Sequence, residues 1–135
     1  MGGPATLPTF TPAGTFGVTG SGALTATYQL SRDANGNLWV ADYFGGKVEV
    51  FDGNGTYVKT LNSLDFANPT SVKVLADGTT LVTDEGAGAV FVFDRLGTKI
   101  GSFGEGVLVY PEDVEIIGKT VYVTDWYNSV IVVFR

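Results

Sequence analysis

A repeat of about 42 residues constrains this chain more than any other feature. The segments Asn37-Leu38-Trp39-Val40-Ala41-Asp42, Thr79-Thr80-Leu81-Val82-Thr83-Asp84 and Lys119-Thr120-Val121-Tyr122-Val123-Thr124-Asp125 align, with aspartates 42 and 41 positions apart. Nine residues after each aspartate stands a phenylalanine: Phe51, Phe93 and Phe134. Between them run Val48-Glu49-Val50, Val90-Phe91-Val92 and Ile131-Val132-Val133. A fixed period of this length marks stacked supersecondary units, each unable to bury its own apolar surface alone.

The runs are short, β-branched and aromatic, and they are bounded by Gly, Asn and Asp, which predicts strands. No segment carries a helical apolar stripe of useful length. In the second repeat the spacing predicts strands at Thr70–Leu75, Thr80–Thr83, Ala89–Phe93 and Thr98–Phe103. The middle strands are apolar on both faces, as a sheet packed between two others requires. These features predict an all-β chain, a β-propeller with four-stranded blades.

The ends carry a second message. Phe10-Thr11-Pro12-Ala13-Gly14-Thr15-Phe16 matches Phe51-Asp52-Gly53-Asn54-Gly55-Thr56-Tyr57. That match predicts an orphan fourth strand near Gly14–Thr19, whereas Phe134-Arg135 stands where a fourth strand is due to start. The expectation is one half-propeller domain over residues 1–135. Its repeats fall at roughly 27–68, 69–110 and 111–135. The strand at 10–20 completes the last blade of a partner chain, so a homodimer closes the ring.

Charge and composition narrow the function. Eight basic and fourteen acidic residues leave a net charge of −6, with no Lys/Arg cluster. Nucleic acid and anionic membrane surfaces are therefore unexpected partners. Cysteine and histidine are both absent. That excludes disulfides, thiol nucleophiles, zinc sites with nitrogen or sulfur ligands, and His-based triads. No metal, cofactor or catalytic residue is expected. The N-terminal residues lack a basic and an apolar region, so no signal peptide is expected, and no apolar run is long enough to span a bilayer. The compartment stays open. Asn54-Gly55-Thr56 matches a glycosylation acceptor, but reads better as a hairpin turn.

At these residues the chain resembles the NHL-repeat family. Pro69 with Val72 and Val74, and Pro111 with Val114 and Ile116, match the family's first strand. Val40-Ala41-Asp42, Val82-Thr83-Asp84 and Val123-Thr124-Asp125 match its central motif. The sequence departs from the pattern in several places. The name-giving Asn survives only at Asn128, no repeat has the family's His, Thr27 replaces the proline of the first repeat, and Arg32 stands where Val74 and Ile116 sit. The resemblance implies six blades in all. The family holds lyases, sensor domains and RNA- or protein-binding platforms, so the resemblance assigns no activity.

Several residues invite a functional reading. Asp42, Asp84 and Asp125 recur at one place in each repeat, as a cation-binding ring or, better, as caps for backbone N–H groups. Asp33-Ala34-Asn35-Gly36-Asn37 starts like a calcium loop but lacks the closing Glu, since position 44 is Phe, and a hairpin turn is the better reading. Arg32, Lys73 and Glu115 are expected near the channel, as ion pairs between neighbours or as a channel lining. Tyr43-Phe44, Glu85-Gly86 and Trp126-Tyr127 follow the three aspartates. They should share one rim with the blade connections that hold Asp65, Phe66, Asn68, Tyr110 and Glu112. The candidate ligand site is thus Tyr43, Phe44, Glu85, Tyr110, Glu112, Trp126 and Tyr127, a face suited to stacking on sugars or holding cationic peptides. The reading is a non-enzymatic scaffold for a peptide, protein or glycan. The alternatives are an NHL-like lyase or hydrolase using Glu85 or Glu112, carboxylate-based or with calcium, and an artificial or structural half-ring without a ligand.

Overall fold

Strand runs alternate with short turns, and several of these are led and closed by an aspartate. Asp52 Oδ1 accepts the N–H groups of Asn54 and Thr56, both at 2.9 Å, and Asp94 Oδ1 those of Leu96 and Thr98 at 2.9 and 3.0 Å. A carboxylate so placed makes reversal cheap without a neighbouring element. A computed structural model describes residues 2–6 and 8–135. Its first sheet holds β1 (Thr27–Arg32), β2 (Leu38–Asp42), β3 (Lys47–Phe51) and β4 (Tyr57–Leu61). The second holds β5 (Pro69–Val74), β6 (Thr80–Asp84), β7 (Ala89–Phe93) and β8 (Lys99–Phe103). The third has β9 (Pro111–Ile117), β10 (Thr120–Asp125) and β11 (Val130–Phe134). All pairings are antiparallel and follow chain order.

The predicted four strands of the second repeat match the observed ones within a residue at each end. The two-sided apolar pattern is explained by what lies on either face. Val72, Val82 and Phe91 form a cross-strand row that packs on Trp39, Val48, Val50 and Leu61 of blade one. Leu81 and Val90 face the other way, onto Val114 and Val123 of blade three. The three sheets therefore stack as an arc of β-propeller type, with blade two in the middle. Burial on both faces of blade two makes the blade-to-blade contact a main stabilising term, as in other repeat arrays. Ser31 Oγ–H donates to the Val72 carbonyl at 2.7 Å, and Lys73 Nζ reaches Glu115 at 2.9 Å, so inner strands of neighbours are also tied. The Lys73–Glu115 contact is the expected ion pair, and it holds the Glu115 carboxyl below its ordinary range.

Within the single chain the N-terminal segment pairs with no sheet edge. Residues 14–19 form no strand; they bend, and Phe16 lays its ring 5.1 Å from Phe51 of the same chain. The reason is local. Phe51 offers an apolar contact next door, while the edge of β11 lies two blades away. Blade three consequently has three strands where its neighbours have four. Its outer face leaves Ile131 at 64% exposure and Val133 at 43%, whereas the aligned Val48 and Val90 are completely buried.

The turn between the second and third strands needs a left-handed residue at its fourth position. Gly46 and Gly88 supply it with φ of 65° and 62°, but the third blade uses Ser129 at φ 55°. A side chain there costs roughly 1–2 kcal/mol, part of which glycine gives back as unfolded-state entropy. Ser129→Gly is expected to raise unfolding stability by roughly 0.5–1 kcal/mol, measured by urea titration. A lower stability would contradict this reading of the turn.

Candidate functional site

Each aspartate that ends a second strand is completely or almost completely buried. Asp42 accepts the N–H groups of Thr25 and Ala26, the latter at 2.7 Å. Asp84 accepts those of Ala67, Asn68 and Ala87 at 2.8, 2.9 and 3.0 Å. Asp125 accepts those of Val109 and Tyr110 at 3.0 and 3.1 Å, and the Asn128 side-chain amide at 3.0 Å. Burial pushes the Asp125 carboxyl up, but these donors outweigh it and hold it below its ordinary value. The capping reading of the three aspartates is what the geometry bears out. Likewise Asp33 is occupied by its own turn, accepting from Asn35 and Asn37 N–H and from Trp39 Nε1–H at 2.9 Å each.

The same clamp positions the next residue. Tyr43, Glu85 and Trp126 donate their backbone N–H groups to the carbonyls of Ala26, Asn68 and Tyr110 at 2.8, 3.0 and 2.9 Å. Their side chains are thereby fixed along one rim, beside the starts of the inner strands. Tyr43 donates its hydroxyl to Glu85 Oε1 at 2.8 Å, across the boundary between blades one and two. That bond, then burial and the Glu85 charge, pushes the Tyr43 phenol up to about 12. Tyr28 stacks on Tyr43 with ring centres 4.4 Å apart and planes 12° from parallel. Burial, followed by the hydrogen-bonding contact and charge of Glu85, pushes the Glu112 carboxyl up to about 8. The nearby Glu85 carboxyl thus favours the protonated form of Glu112.

Tyr28, Glu85, Glu112 and Trp126 line a cleft of about 290 Å³. Four of the seven expected residues thus converge: Tyr43, Glu85, Glu112 and Trp126. Phe44 is 73% exposed and stands edge-on to Tyr43. Tyr110 and Tyr127 pack edge-on to each other at 5.4 Å, and Tyr110 lies 6.1 Å from Trp126, so these two extend the rim outward. Tyr28 was not among the expected residues. Its signal was present, because Tyr28, Thr70 and Glu112 occupy one repeat position, 42 residues apart each time. Other connection residues turn out structural: Phe66 packs on Phe91 and Phe93, Asn68 Nδ2 donates to the Tyr43 carbonyl, and Asp65 pairs with Lys99.

A groove of about 560 Å³ lies on the opposite rim, between the turns of blades one and two. Its carboxylates at Asp33, Asp77 and Asp94 are taken up by N–H groups of their own turns. Its carboxylates are therefore engaged, while Lys59 and Arg95 also line it. Among the described residues no cluster of three or more carboxylates is arranged to hold a metal ion.

No protein-family model and no curated protein matches the chain. Solved structures do. A chain in a nidogen/laminin complex superposes with a TM-score of 0.70 at 22% identity, over 82% of this chain and 43% of that one. A protein of unknown function from Bacteroides caccae gives 0.66 at 16% identity, over 74% and 39%. Virginiamycin B lyase from Staphylococcus aureus gives 0.57 at 16% identity, over 81% and 41%. This chain spans less than half of each. The likeness supports a β-propeller-type fold and is not specific to NHL repeats.

Proposed function

We propose that the chain is a non-enzymatic binding scaffold, an NHL-like propeller that works as a six-bladed ring of two copies. Its channel mouth takes a peptide or protein segment bearing a basic side chain. The observation that carries this reading is the meeting of Glu85 with Glu112, whose carboxyl keeps its proton to about pH 8, between the Tyr28–Tyr43 stack and Trp126. An incoming ammonium or guanidinium group displaces that proton, pairs with both carboxylates and lies against aromatic faces. Trp126 is 69% exposed, so its face is open to a partner. Uncharged sugars can stack on the same rings but leave the carboxyl pair unused, which makes glycans the weaker candidates.

The pH dependence follows from the raised Glu112 pKa. Below about 8 the proton must leave before a cation can pair, so affinity rises with pH and levels off above about 8. The limiting slope is about tenfold per pH unit. Titration calorimetry with Lys- and Arg-containing peptides checks this from pH 6 to 9. Trp126→Ala is expected to weaken binding about tenfold or more, and Glu112→Gln to flatten the pH profile. Binding that survives loss of Trp126 and its aromatic neighbours places the site elsewhere.

A second reading has one observation in its favour. A carboxyl that keeps its proton to about pH 8 is also a general acid, and Glu112 stands in a cleft. This supports the lyase or hydrolase alternative, with Glu112 as acid rather than base. Turnover that disappears in Glu112→Gln while peptide binding is absent would decide for it.

A further inference from the structure

Residues 14–20 have a better place than the one they occupy in a single chain. Among the described residues, none of 8–19 donates a backbone hydrogen bond to another. Phe10 is 80% exposed, Val18 70% and Phe16 46%. Just beyond them the chain is already committed. Asp42 grips Thr25 and Ala26 as Asp84 grips Ala67 and Asn68, and as Asp125 grips Val109 and Tyr110. In the two internal cases the gripped segment descends from the fourth strand of the preceding blade. The first blade thus holds a connection built to arrive from a blade that the single chain does not contain.

Blade three has the matching vacancy. Its β11 carries no fourth strand, and its outer face bears exposed Ile131, Val133 and Ile117. We infer that residues 14–20 of one copy add to β11 of a second copy as its antiparallel fourth strand, and that the exchange is reciprocal. This rests on the two-chain ring proposed above. The repeat fixes the register. Phe51 pairs Tyr57, Val50 pairs Lys59 and Glu49 pairs Thr60 in blade one. Carried over, Phe16 pairs the partner's Phe134, Val18 the partner's Val133, and Thr19 the partner's Val132. The occupant is a second copy because its blade one brings the strand, the gripped connection and a face with the exposed Leu30 as one unit. Two such seams cover two blade faces each, on the order of 1,000 Å² or more, the scale of stable interfaces.

The seam also finishes the site. A cleft of about 610 Å³ lined by Glu112, Thr124, Trp126 and Ile131 opens on this outer face of blade three. A second copy seated there closes one wall of the channel mouth beside Glu112 and Trp126.

The chain has no cysteine, so disulfide trapping is free of background. Thr19 and Val132 are chosen because the aligned Thr60 and Glu49 side chains touch at 3.0 Å in blade one. Under mild oxidation, the full chain with Thr19→Cys and Val132→Cys is expected to run as a covalent dimer on a non-reducing gel. Each single cysteine variant is expected to stay non-covalent. Val18→Cys with Val133→Cys serves as the second pair if the first fails to fold. A dimer by solution mass that neither pair links overturns the exchange and leaves the ring standing. A folded monomer by mass overturns both. A disulfide formed within one chain overturns the exchange as well.

Discussion

Asp84→Ala is expected to unfold the arc rather than trim its function. The carboxylate has no exposure to solvent and accepts three backbone N–H groups, from the preceding connection and from its own turn. Removing it leaves these donors without partners inside the protein, at roughly 1–3 kcal/mol for each. The sum, about 3–9 kcal/mol, is comparable to the whole stability of a domain this size. Circular dichroism and urea unfolding read the loss directly. Asp84→Asn keeps one acceptor oxygen and is expected to fall between wild type and Ala. A near-native melting curve for Asp84→Ala would show that the clamp is dispensable.

Ile131→Lys is the second substitution with a large expected effect, and it separates the single chain from the ring. Ile131 is 64% exposed in one chain, so a lysine there is nearly neutral for an isolated arc. Against a second copy, the same change buries an unpaired ammonium at the seam, which costs several kcal/mol. Weakening of self-association by more than about 100-fold is expected. Sedimentation of the wild type and variant across a concentration series is the measurement. Equal mass for both, with the circular dichroism spectrum unchanged, would mean that this face is not an interface.

The fold was legible because the repeat made each residue its own control. The strand at Ala89–Phe93 could be placed from Phe51 and Phe93 alone, and the two-sided apolar pattern of Leu81, Val82, Val90 and Phe91 required neighbours on both faces. The aspartate clamp was legible for the same reason, since three symmetric carboxylates suit one structural task. The N-terminal segment was less so. Its match to Phe51–Tyr57 says which strand it resembles, not which sheet edge it meets, and in one chain Phe16 finds Phe51 instead.

The candidate site was half legible. Tyr43, Glu85 and Trp126 follow from the repeat, because each sits one residue past a clamp. The Glu85–Glu112 contact depends on how far blades two and three rotate, which no local pattern encodes, and the Tyr28–Tyr43 stack on the register of β1 against β2 within blade one. Phe66 illustrates the reverse error of reading connection aromatics as surface. It turns inward from its connection and packs on Phe91 and Phe93.

The clamps also redraw the boundaries of cooperative folding. Asp84 binds the segment that precedes its own blade, so the unit that forms together runs from Ala67 through Phe93 rather than from one proline to the next. Units offset in this way overlap like roof tiles, each pinned under the one before it. Cutting and rejoining the chain at the Asn54–Gly55 turn leaves every pin in place. Cutting it at the Asp77–Gly78 turn, between Asn68 and Asp84, separates a pin from the segment it holds. Local opening should therefore spread from the two free margins of the arc inward, with the amides of Ala67 and Asn68 among the last to exchange with solvent.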